Sequence, residues 1–352
     1  MDEVLRQTAA STLLFDVPGT AVLSHDLTLV EAEGTLRRVV YDRDGVVEDV
    51  EVPLDHACMG CAVREDIVPT VARLARTNRW QHLVLSLPVA AEPLPVVTGL
   101  ATAVVDRERV ADQVRLQSIV AAVDRRSLED DLFGDDLLVE RGLALSDNDR
   151  RGVGETLAHQ IEFADHVVLA GTATERATTL LRHLAHNGVR LENVHEVDGS
   201  TLLEPAPANR RISAAADPHR IEPTGAEDAH GVWTLDLQSW RPLHPERLRQ
   251  RIQDLGSGAH RSRGRFWLPT RPSTTCCWDG AGGQLSIGSV GPWQGNQPST
   301  RLVVTGIDDP ERVRTAFDDV LLTDAELAKG LQGWQGRDDG FDPWLGEANA
   351  AA

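Results

Sequence analysis

Lysine is almost absent from this chain of 352 residues, since arginine supplies every basic side chain except Lys329. No run of 18 apolar residues occurs, so no segment is predicted to span a membrane. The start lacks the basic stretch and apolar core of a secretory signal. The formal net charge of -19 disfavours non-specific binding to nucleic acid or to anionic membrane. We therefore expect neither membrane association nor direct sequence-specific nucleic-acid binding.

Cysteine is also scarce, because only 4 are present and two of them are the neighbours Cys276 and Cys277. This set does not form a disulfide framework, and we predict a protein of the reducing cytoplasm. Adjacent residues of a strand point to opposite faces, so Cys276 and Cys277 cannot chelate one ion together. We interpret both as core residues.

Apolar runs and helical patterns alternate through the first half of the chain. Residues 82–87, 116–123 and 166–169 are predicted to be buried parallel strands. Helical patterns lie between them at residues 107–114 and 154–163. This alternation predicts an α/β fold, with a parallel sheet and helices on both faces.

Two domains are predicted. Residues 1–204 form the α/β domain, and residues 231–328, with period-2 strands and two helices, form a compact α+β domain. Residues 205–230 hold four prolines without any period and are predicted to be a linker. Residues 329–352 are rich in Gly and Asp and are predicted to be a flexible tail. The tail offers three aromatic docking points: Trp334, Phe341 and Trp344.

The most informative stretch is residues 55–66, where a C-x-x-C pair, Cys58 and Cys61, follows His56. Two thiolates and an imidazole on one tight turn can hold a soft or borderline metal, and zinc is the usual occupant. Three ligands do not close a tetrahedron, so a fourth must come from elsewhere. The alternative is a pair of inert or redox-active cysteines. The neighbouring Glu65 and Asp66 are either metal ligands or acids that favour the start of a helix.

A second histidine pair, His183 and His186, has the spacing of two ligands on one helix face. Such a pair is more commonly a surface or half-buried structural feature.

Several motifs resemble the CobW family of nucleotide-dependent metallochaperones over nearly the whole chain. Residues 58–67 (C-M-G-C-A-V-R-E-D-I) are similar to the family's metal motif G-C-x-C-C-T-V-R-x-D-L, with Gly60 at the middle cysteine. Residues 241–248 (R-P-L-H-P-E-R-L) are similar to R-P-F-H-P-x-R-L. Residues 261–268 (R-S-R-G-R-F-W-L) are similar to R-x-K-G-x-x-W-L. Further matching positions are Glu155, Thr156, Gln160, Ala164 and Asp165.

This sequence lacks or replaces three elements with which the family binds nucleotide. The sequence holds no G-x-x-x-x-G-K-[ST] phosphate loop, and the pattern at residues 2–14 is similar to the helix that follows that loop. The first strand and the loop are thus missing, either lost or cut off by a late start site. Ser86 stands at the family's acidic strand end, and residues 170–173 (A-G-T-A) replace the guanine-selecting N-K-x-D.

The resemblance implies a P-loop-NTPase-like parallel sheet domain followed by a smaller α+β domain. It is strongest with the actinobacterial branch, which is associated with zinc starvation and with recruiting a hibernation factor to the ribosome. It therefore implies a zinc-responsive adaptor with little or no GTPase activity and with zinc, but not GTP and magnesium, as its cofactor. Its partners would be a hibernation factor and the ribosome, reached through that protein or through the arginines of residues 241–271.

Two other functions remain open at the level of sequence. One is a GTP-dependent zinc metallochaperone whose phosphate loop lies upstream of Met1. The other is a structural or interaction domain with an inert cysteine turn.

Overall fold

The computed structural model describes residues 1–26, 34–56, 58–144, 146, 148–172, 174–205, 217–293, 295–334 and 336–347. Residues 206–216 of the predicted linker, Ala173 of the A-G-T-A stretch and the end of the predicted tail lie outside the described residues. No described helix is both long enough and apolar enough to cross a membrane.

The helices, in chain order, are α1 (Glu3–Asp16), α2 (Met59–Ala62), α3 (Val68–Arg76), α4 (Pro93–Thr102), α5 (Val110–Gln113), α6 (Leu128–Phe133), α7 (Val153–Phe163), α8 (Glu175–Leu184), α9 (Gly199–Leu202), α10 (Pro245–Gly256), α11 (Pro310–Val320), α12 (Asp324–Leu327) and α13 (Asp342–Leu345). A π-helical turn, Val63–Ile67, joins α2 to α3, and a 3-10 turn spans Leu331–Trp334.

The strands are β1 (Thr20–Asp26), β2 (Thr35–Asp42), β3 (Gly45–Pro53), β4 (His82–Ser86), β5 (Val104–Val105), β6 (Glu108–Arg109), β7 (Val120–Asp124), β8 (His166–Ala170), β9 (Arg190–Asn193), β10 (Trp233–Ser239), β11 (His260–Phe266), β12 (Thr274–Ala281), β13 (Gln284–Pro292) and β14 (Thr300–Gly306).

The chain forms two compact units. The first consists of Met1–Asp131, Asp136–Ala173 and Ala185–Ser213, and the second of Leu132–Asp135, Thr174–Leu184 and Ala214–Ala352. The predicted boundaries differ, because they place α8 in the first domain. The reason is local: His183 of α8 hydrogen-bonds Thr234 of β10, which lies in the second unit.

Apart from the two-stranded hairpin of β5 and β6, the described part of the first unit contains two separate sheets. One has the order β3-β2-β1-β4, in which β1 runs parallel to β4 and antiparallel to β2. The other has the order β7-β8-β9, and all three strands are parallel. The β2–β3 turn contains Gly45 at a φ of +131°, a value that favours glycine, as the Asp44-Gly45 sequence predicts.

Helix α1 begins where the sequence predicts, because the Asp2 side chain accepts hydrogen bonds from the backbone N–H groups of Val4 and Leu5. The core of the β1–β4 sheet is closed by α3, and its fully or nearly fully buried members include Leu23, Leu36, Val40, Ile67 and Val68.

One expected helix of this unit is wrong. Residues 104–109 form a short hairpin of β5 and β6, and only residues 110–113 of the expected helix at 107–114 are helical, as the single turn α5. Asp106 and Arg107 have φ values of +52° and +72°, which a helix excludes. Helix α4 was not predicted, since Pro93 and Pro95 resemble loop residues although the first turn of a helix accepts proline.

The second unit is α+β. Its antiparallel sheet has the order β10-β14-β11-β12-β13, and α10 and α11 pack together beside it. Trp278 and Phe266 fill the core at 1% and 0% exposure, with their rings edge to face at 5.8 Å. The predicted fold class is therefore confirmed, with parallel strands in the first unit and an α+β second unit.

Residues 336–347 differ from the flexible tail that their composition predicts. Phe341 and Leu345 belong to the core of the second unit, and Phe341 is 1% exposed. Trp344 stays 59% exposed. Burial of one aromatic ring and the ion pairs of Asp339 hold this segment in place.

Candidate metal centre

Two thiols meet at the turn after β3. Cys58 is the N-cap of α2, and its Sγ accepts a hydrogen bond from the backbone N–H of Cys61 at 3.0 Å. The Sγ atoms of Cys58 and Cys61 lie 2.8 Å apart. Both thiols are free, with Cys58 exposed and Cys61 buried. The structure thus brings together two of the three residues predicted to bind zinc.

The donor chemistry of this pair fits zinc. Two Zn–S bonds of about 2.3 Å in a tetrahedron place the sulfur atoms roughly 3.8 Å apart, so the pair must open by about 1 Å. Because Cys58 is the exposed member of the pair, we expect the opening to come from rotation of its side chain. His56 is exposed in the same turn, but the described residues include no group of three or more His, Cys, Asp or Glu arranged to hold an ion. His56 therefore remains a predicted third ligand.

The Cys61 thiol holds its proton more tightly than an ordinary cysteine. The hydrogen bond that the Cys61 thiol shares with the Cys58 sulfur, with Cys61 as the donor, raises the pKa of Cys61, and burial raises it further. Arg64 opposes this shift, with its Nη2 atom 3.8 Å from the Cys61 Sγ. Since zinc binds thiolates, an incoming ion must displace this proton.

A buried ion-pair network connects the cysteine turn to strands β1 and β2. Asp66 lies in the π-helical turn after the cysteines and is 2% exposed. Its carboxylate contacts His25 of β1 at 2.7 Å and the guanidinium of Arg38 of β2. Arg38 also donates to the Thr70 hydroxyl at 3.0 Å. Asp66 is therefore a positioning residue that ties the cysteine turn to two strands, and its partners leave it little freedom to bind metal.

Replacing Asp66 with Ala is expected to destabilise the first unit by about 3 kcal/mol, because His25 would lose its carboxylate partner and Arg38 would keep only Glu48. The matched control is Asp49→Ala, which breaks a pair with Arg37 in which both side chains are about half exposed. That change is expected to cost far less, because solvent screens an exposed pair. The stability loss of each variant is measured by urea unfolding, and the hydrogen exchange of the β1 and β2 amides shows whether the loss is in these strands. Equal costs for the two variants would contradict the anchoring role.

Glu65 closes the turn from the other side. Its carboxylate accepts a hydrogen bond from the backbone N–H of Asp55 at 3.1 Å and pairs with Arg64. Both contacts lower the pKa of Glu65, and the hydrogen bond from the Asp55 backbone has the larger effect. Glu65 thus serves the local structure of the loop that carries His56.

The second histidine pair does not form a metal site. His183 is 3% exposed, and its Nδ1 and Nε2 atoms contact the Thr234 hydroxyl at 2.7 Å and the Glu227 carbonyl at 3.1 Å. With both ring nitrogens engaged, His183 is a core histidine. Cys276 is fully buried, and burial raises its pKa to about 12, so the core interpretation holds for this residue as well.

Most arginines of residues 241–271 are neutralised within their own unit, so the expected basic surface is wrong for them. Their carboxylate partners are as follows: Arg241 with Asp324, Arg247 with Glu326, Arg251 with Asp254 and Asp319, Arg261 with Asp279, and Arg271 with Asp339. Arg265 donates to the Pro218 carbonyl at 3.2 Å. Because their charges are paired, these arginines contribute little positive electrostatic potential that could attract nucleic acid.

The carboxyl ends of β4 and β8 carry the positions where nucleotide residues were expected. The Ser86 hydroxyl and carbonyl accept hydrogen bonds from Arg6 at 2.7 and 2.8 Å. Gly171 follows β8 at a φ of +76°, and a Cβ there would approach an Asp124 oxygen to 2.7 Å. Neither position offers a carboxylate to magnesium or to guanine.

Two family models cover most of the chain. Residues 20–197 match the model described as CobW/HypB/UreG, nucleotide-binding domain, and residues 232–321 match the model of the cobalamin synthesis protein cobW C-terminal domain. The chain belongs to the CobW family. Several proteins similar to this chain carry zinc in their names.

One such relative is zinc chaperone Rv0106 of Mycobacterium tuberculosis, 26% identical over 332 residues, which cover 82% of this chain and 78% of the relative. Another is zinc-regulated GTPase metalloprotein activator 1 of Dictyostelium discoideum, 22% identical, with 79% and 60% covered. The solved structure of Zn(II)-bound YjiA GTPase from E. coli is 14% identical, with 81% of this chain and 83% of that chain covered and a TM-score of 0.34.

Proposed function

We propose that this CobW-family protein is a zinc-responsive adaptor that binds zinc through Cys58 and Cys61, with His56 as the third ligand. The observation that carries this proposal is the thiol pair itself. Its sulfur atoms are 2.8 Å apart, one is exposed to an incoming ion, and the turn beneath them is anchored by a buried carboxylate. Relatives named as zinc chaperones support the choice of metal.

Little or no GTP turnover is the second part of the proposal. Ser86 replaces the expected acid and is bonded to Arg6. Residues 170–173 contain no carboxylate to pair with the N1 and N2 hydrogens of guanine. Both features belong to the sequence given, so they support weak GTP binding whatever precedes Met1.

Under zinc limitation the adaptor recruits a hibernation factor, and its contact with the ribosome runs through that protein. The net charge of -19 and the paired arginines of the second unit favour this indirect contact over direct binding to RNA.

Co-sedimentation with ribosomes tests this function. We expect the protein to sediment with ribosomes from zinc-starved cells only when the hibernation factor is present, and Cys58→Ser/Cys61→Ser to abolish the response to zinc. Equal sedimentation in zinc-replete and zinc-starved extracts would overturn the adaptor proposal.

Isothermal titration with GTP and magnesium distinguishes the proposed adaptor from a GTP-dependent metallochaperone. A dissociation constant weaker than about 100 µM is expected, which is less than about 6 kcal/mol of binding free energy. A micromolar constant would favour a GTP-dependent zinc metallochaperone instead.

A further inference from the structure

Strand β13 lies at one edge of the sheet in the second unit, because the strand order is β10-β14-β11-β12-β13. Among the described residues its one ladder partner is β12, so its other edge carries backbone N–H and C=O groups without a strand beside them. Natural sheets commonly protect such an edge with charged side chains. The edge strands β3, β9 and β10 follow this rule, since they contain Glu48, Glu192 and Asp236.

Strand β13 lacks this protection. Residues 280–300 contain no charged side chain, although charged residues make up 25% of the whole sequence. Two apolar side chains are also open to solvent, since Val290 of β13 is 45% exposed and Trp344 is 59% exposed. Trp344 belongs to α13, which packs against β13. A neutral edge with exposed apolar side chains beside it is typical of a strand that pairs with another chain.

The hairpin before β13 determines which residues face the open edge. Its two-residue turn, Gly282-Gly283, places Ala281 opposite Gln284, and the closing pair of such a turn is hydrogen-bonded. In an antiparallel ladder, bonded pairs alternate with pairs whose N–H and C=O groups point away from each other. The residues of β13 whose backbone groups point to the open edge are therefore Leu285, Ile287 and Ser289.

The space beside this edge admits a second backbone. An added Cβ on Gly288 would have one heavy atom of the described residues within 4 Å beyond its chain neighbours, the Cys277 sulfur at 3.4 Å. A glycine inside a strand commonly marks a place where another backbone approaches closely. The side chains of Leu285 and Ile287 are half-buried and pack against the core of the second unit. A strand added at the edge would therefore cover them and extend that core.

A second copy of this chain fits the edge best. The net charge of -19 makes two copies repel each other, so a surface for self-association must not bring like charges together. An interface related by a two-fold axis brings residues near their own counterparts, so a charged residue close to the axis would face the same charge. The uncharged strand β13 meets this condition, whereas β3, β9 and β10 do not.

We propose that two copies of this chain associate through antiparallel pairing of their β13 strands, with the two-fold axis at Ile287. In this register Ile287 faces its own counterpart, and Leu285 of each copy faces Ser289 of the other. Every residue that points to the open edge thus meets another such residue, and each pair exchanges both of its N–H···O bonds. The two sheets become one continuous sheet. This proposal goes beyond zinc binding and the adaptor function and depends on neither.

The dimer is expected to be reversible, because residues 285–289 form a short ladder and standard interfaces contain about 20 to 30 residues a side. Added salt should strengthen it. Ions screen the repulsion between two acidic copies, while backbone hydrogen bonds and apolar contacts do not depend on that screening. An interface built on ion pairs would weaken in salt instead.

Sedimentation equilibrium of the 352-residue chain over about a 100-fold range of concentration measures this association. We expect a monomer–dimer equilibrium that shifts towards the dimer at higher concentration and at higher salt. A chain that stays monomeric throughout, or a dimer that weakens in salt, would overturn the proposal.

The variant Ser289→Glu locates the interface. Ser289 is exposed in the single chain, so the substitution should leave the fold intact, but in the dimer it places a carboxylate against Leu285 of the other copy. We expect the dissociation constant to rise at least about tenfold. Ser289→Thr adds no charge and should preserve the dimer. Val46→Glu is the matched control, because it adds the same charge to an exposed position of the edge strand β3 and should have no effect.

Hydrogen exchange provides a second measurement at the same strand. The amides of Leu285, Ile287 and Ser289 should exchange at least about tenfold more slowly in the dimer, because they gain hydrogen-bond acceptors. A dimer that Ser289→Glu leaves intact, or that forms without slowing these amides, would place the interface elsewhere and overturn the proposal. Protection of these amides by another protein, with the purified chain monomeric, would overturn it too and assign the edge to a strand of that protein.

Discussion

Zinc is expected to be lost completely from the variant Cys58→Ser/Cys61→Ser. Serine hydroxyls stay protonated at neutral pH and are poor zinc ligands, so the variant loses both thiolate donors while the turn keeps its shape. The hydrogen bond that Cys58 accepts from the Cys61 backbone is available to a serine oxygen as well. Zinc released to a colorimetric chelator, per mole of protein, measures the effect.

The chain supplies its own controls for that experiment. Cys277→Ser removes a half-buried thiol of the second unit and should leave the zinc content unchanged. His56→Ala should weaken binding without abolishing it, because the two sulfur atoms remain. Zinc content that survives the double substitution would place the site elsewhere in the chain.

Acidification should weaken zinc binding at the same pair. The pKa of Cys61 is raised by the Cys58 hydrogen bond and by burial, so its thiol is protonated at neutral pH and zinc must release the proton. Apparent affinity should therefore fall as pH is lowered, by about tenfold per pH unit for the one proton that Cys61 releases. An affinity independent of pH between 6 and 8 would contradict thiolate ligation.

The sequence predicts local features of the fold well where a side chain acts on its own backbone. The helix predicted at residues 2–14 is α1, the Asp44-Gly45 pair turns the β2–β3 hairpin, and one of the two helices predicted in the second domain is α11. These signals lie within a few residues of the structure they determine. The cysteine turn belongs to the same class, because Cys58 and Cys61 are three residues apart.

The support beneath the metal centre could not be predicted in the same way. His25 and Asp66 are separated by 41 residues, and only the packing of β1 on the cysteine turn brings them to 2.7 Å. The arginines of residues 241–271 show the same limit. Their sequence predicts a positive surface, but Glu326 and Asp319, more than 60 residues away, neutralise Arg247 and Arg251. The charges of one sequence segment do not show which acidic residues of distant segments will pair with its arginines.

A second buried ion pair holds the C-terminal segment in place. Arg271 and Asp339 are 2% and 3% exposed, and the guanidinium contacts the carboxylate at 2.8 and 3.1 Å. Asp339 also accepts hydrogen bonds from the Thr270 hydroxyl and from the backbone N–H of Phe341. The last contact places Phe341 in the core, so one carboxylate joins the ion pair to the burial of an aromatic ring.

Asp339→Ala is therefore expected to destabilise the second unit by about 3 to 5 kcal/mol, because Arg271 would remain buried with only the half-exposed carboxylate of Asp342. The matched control is Asp342→Ala, which removes the other, 54% exposed carboxylate from the same arginine. That change should cost less than about 1 kcal/mol. Tryptophan fluorescence during urea unfolding reports mainly on this unit, since Trp80 is the one tryptophan of 8 outside residues 214–352.

The pH dependence of that cost provides a further check. Burial alone would raise the pKa of Asp339, but the hydrogen bonds from Arg271 and Thr270 outweigh it and hold the pKa below its usual value. A carboxyl with a lowered pKa in the folded state stabilises the protein fully above its unfolded value of about 3.9. The difference between wild type and Asp339→Ala should be constant at neutral pH and shrink as pH falls through the lowered pKa. A difference that grows in acid, or that Asp342→Ala reproduces, would show that Asp339 does not act as the buried counter-ion of Arg271.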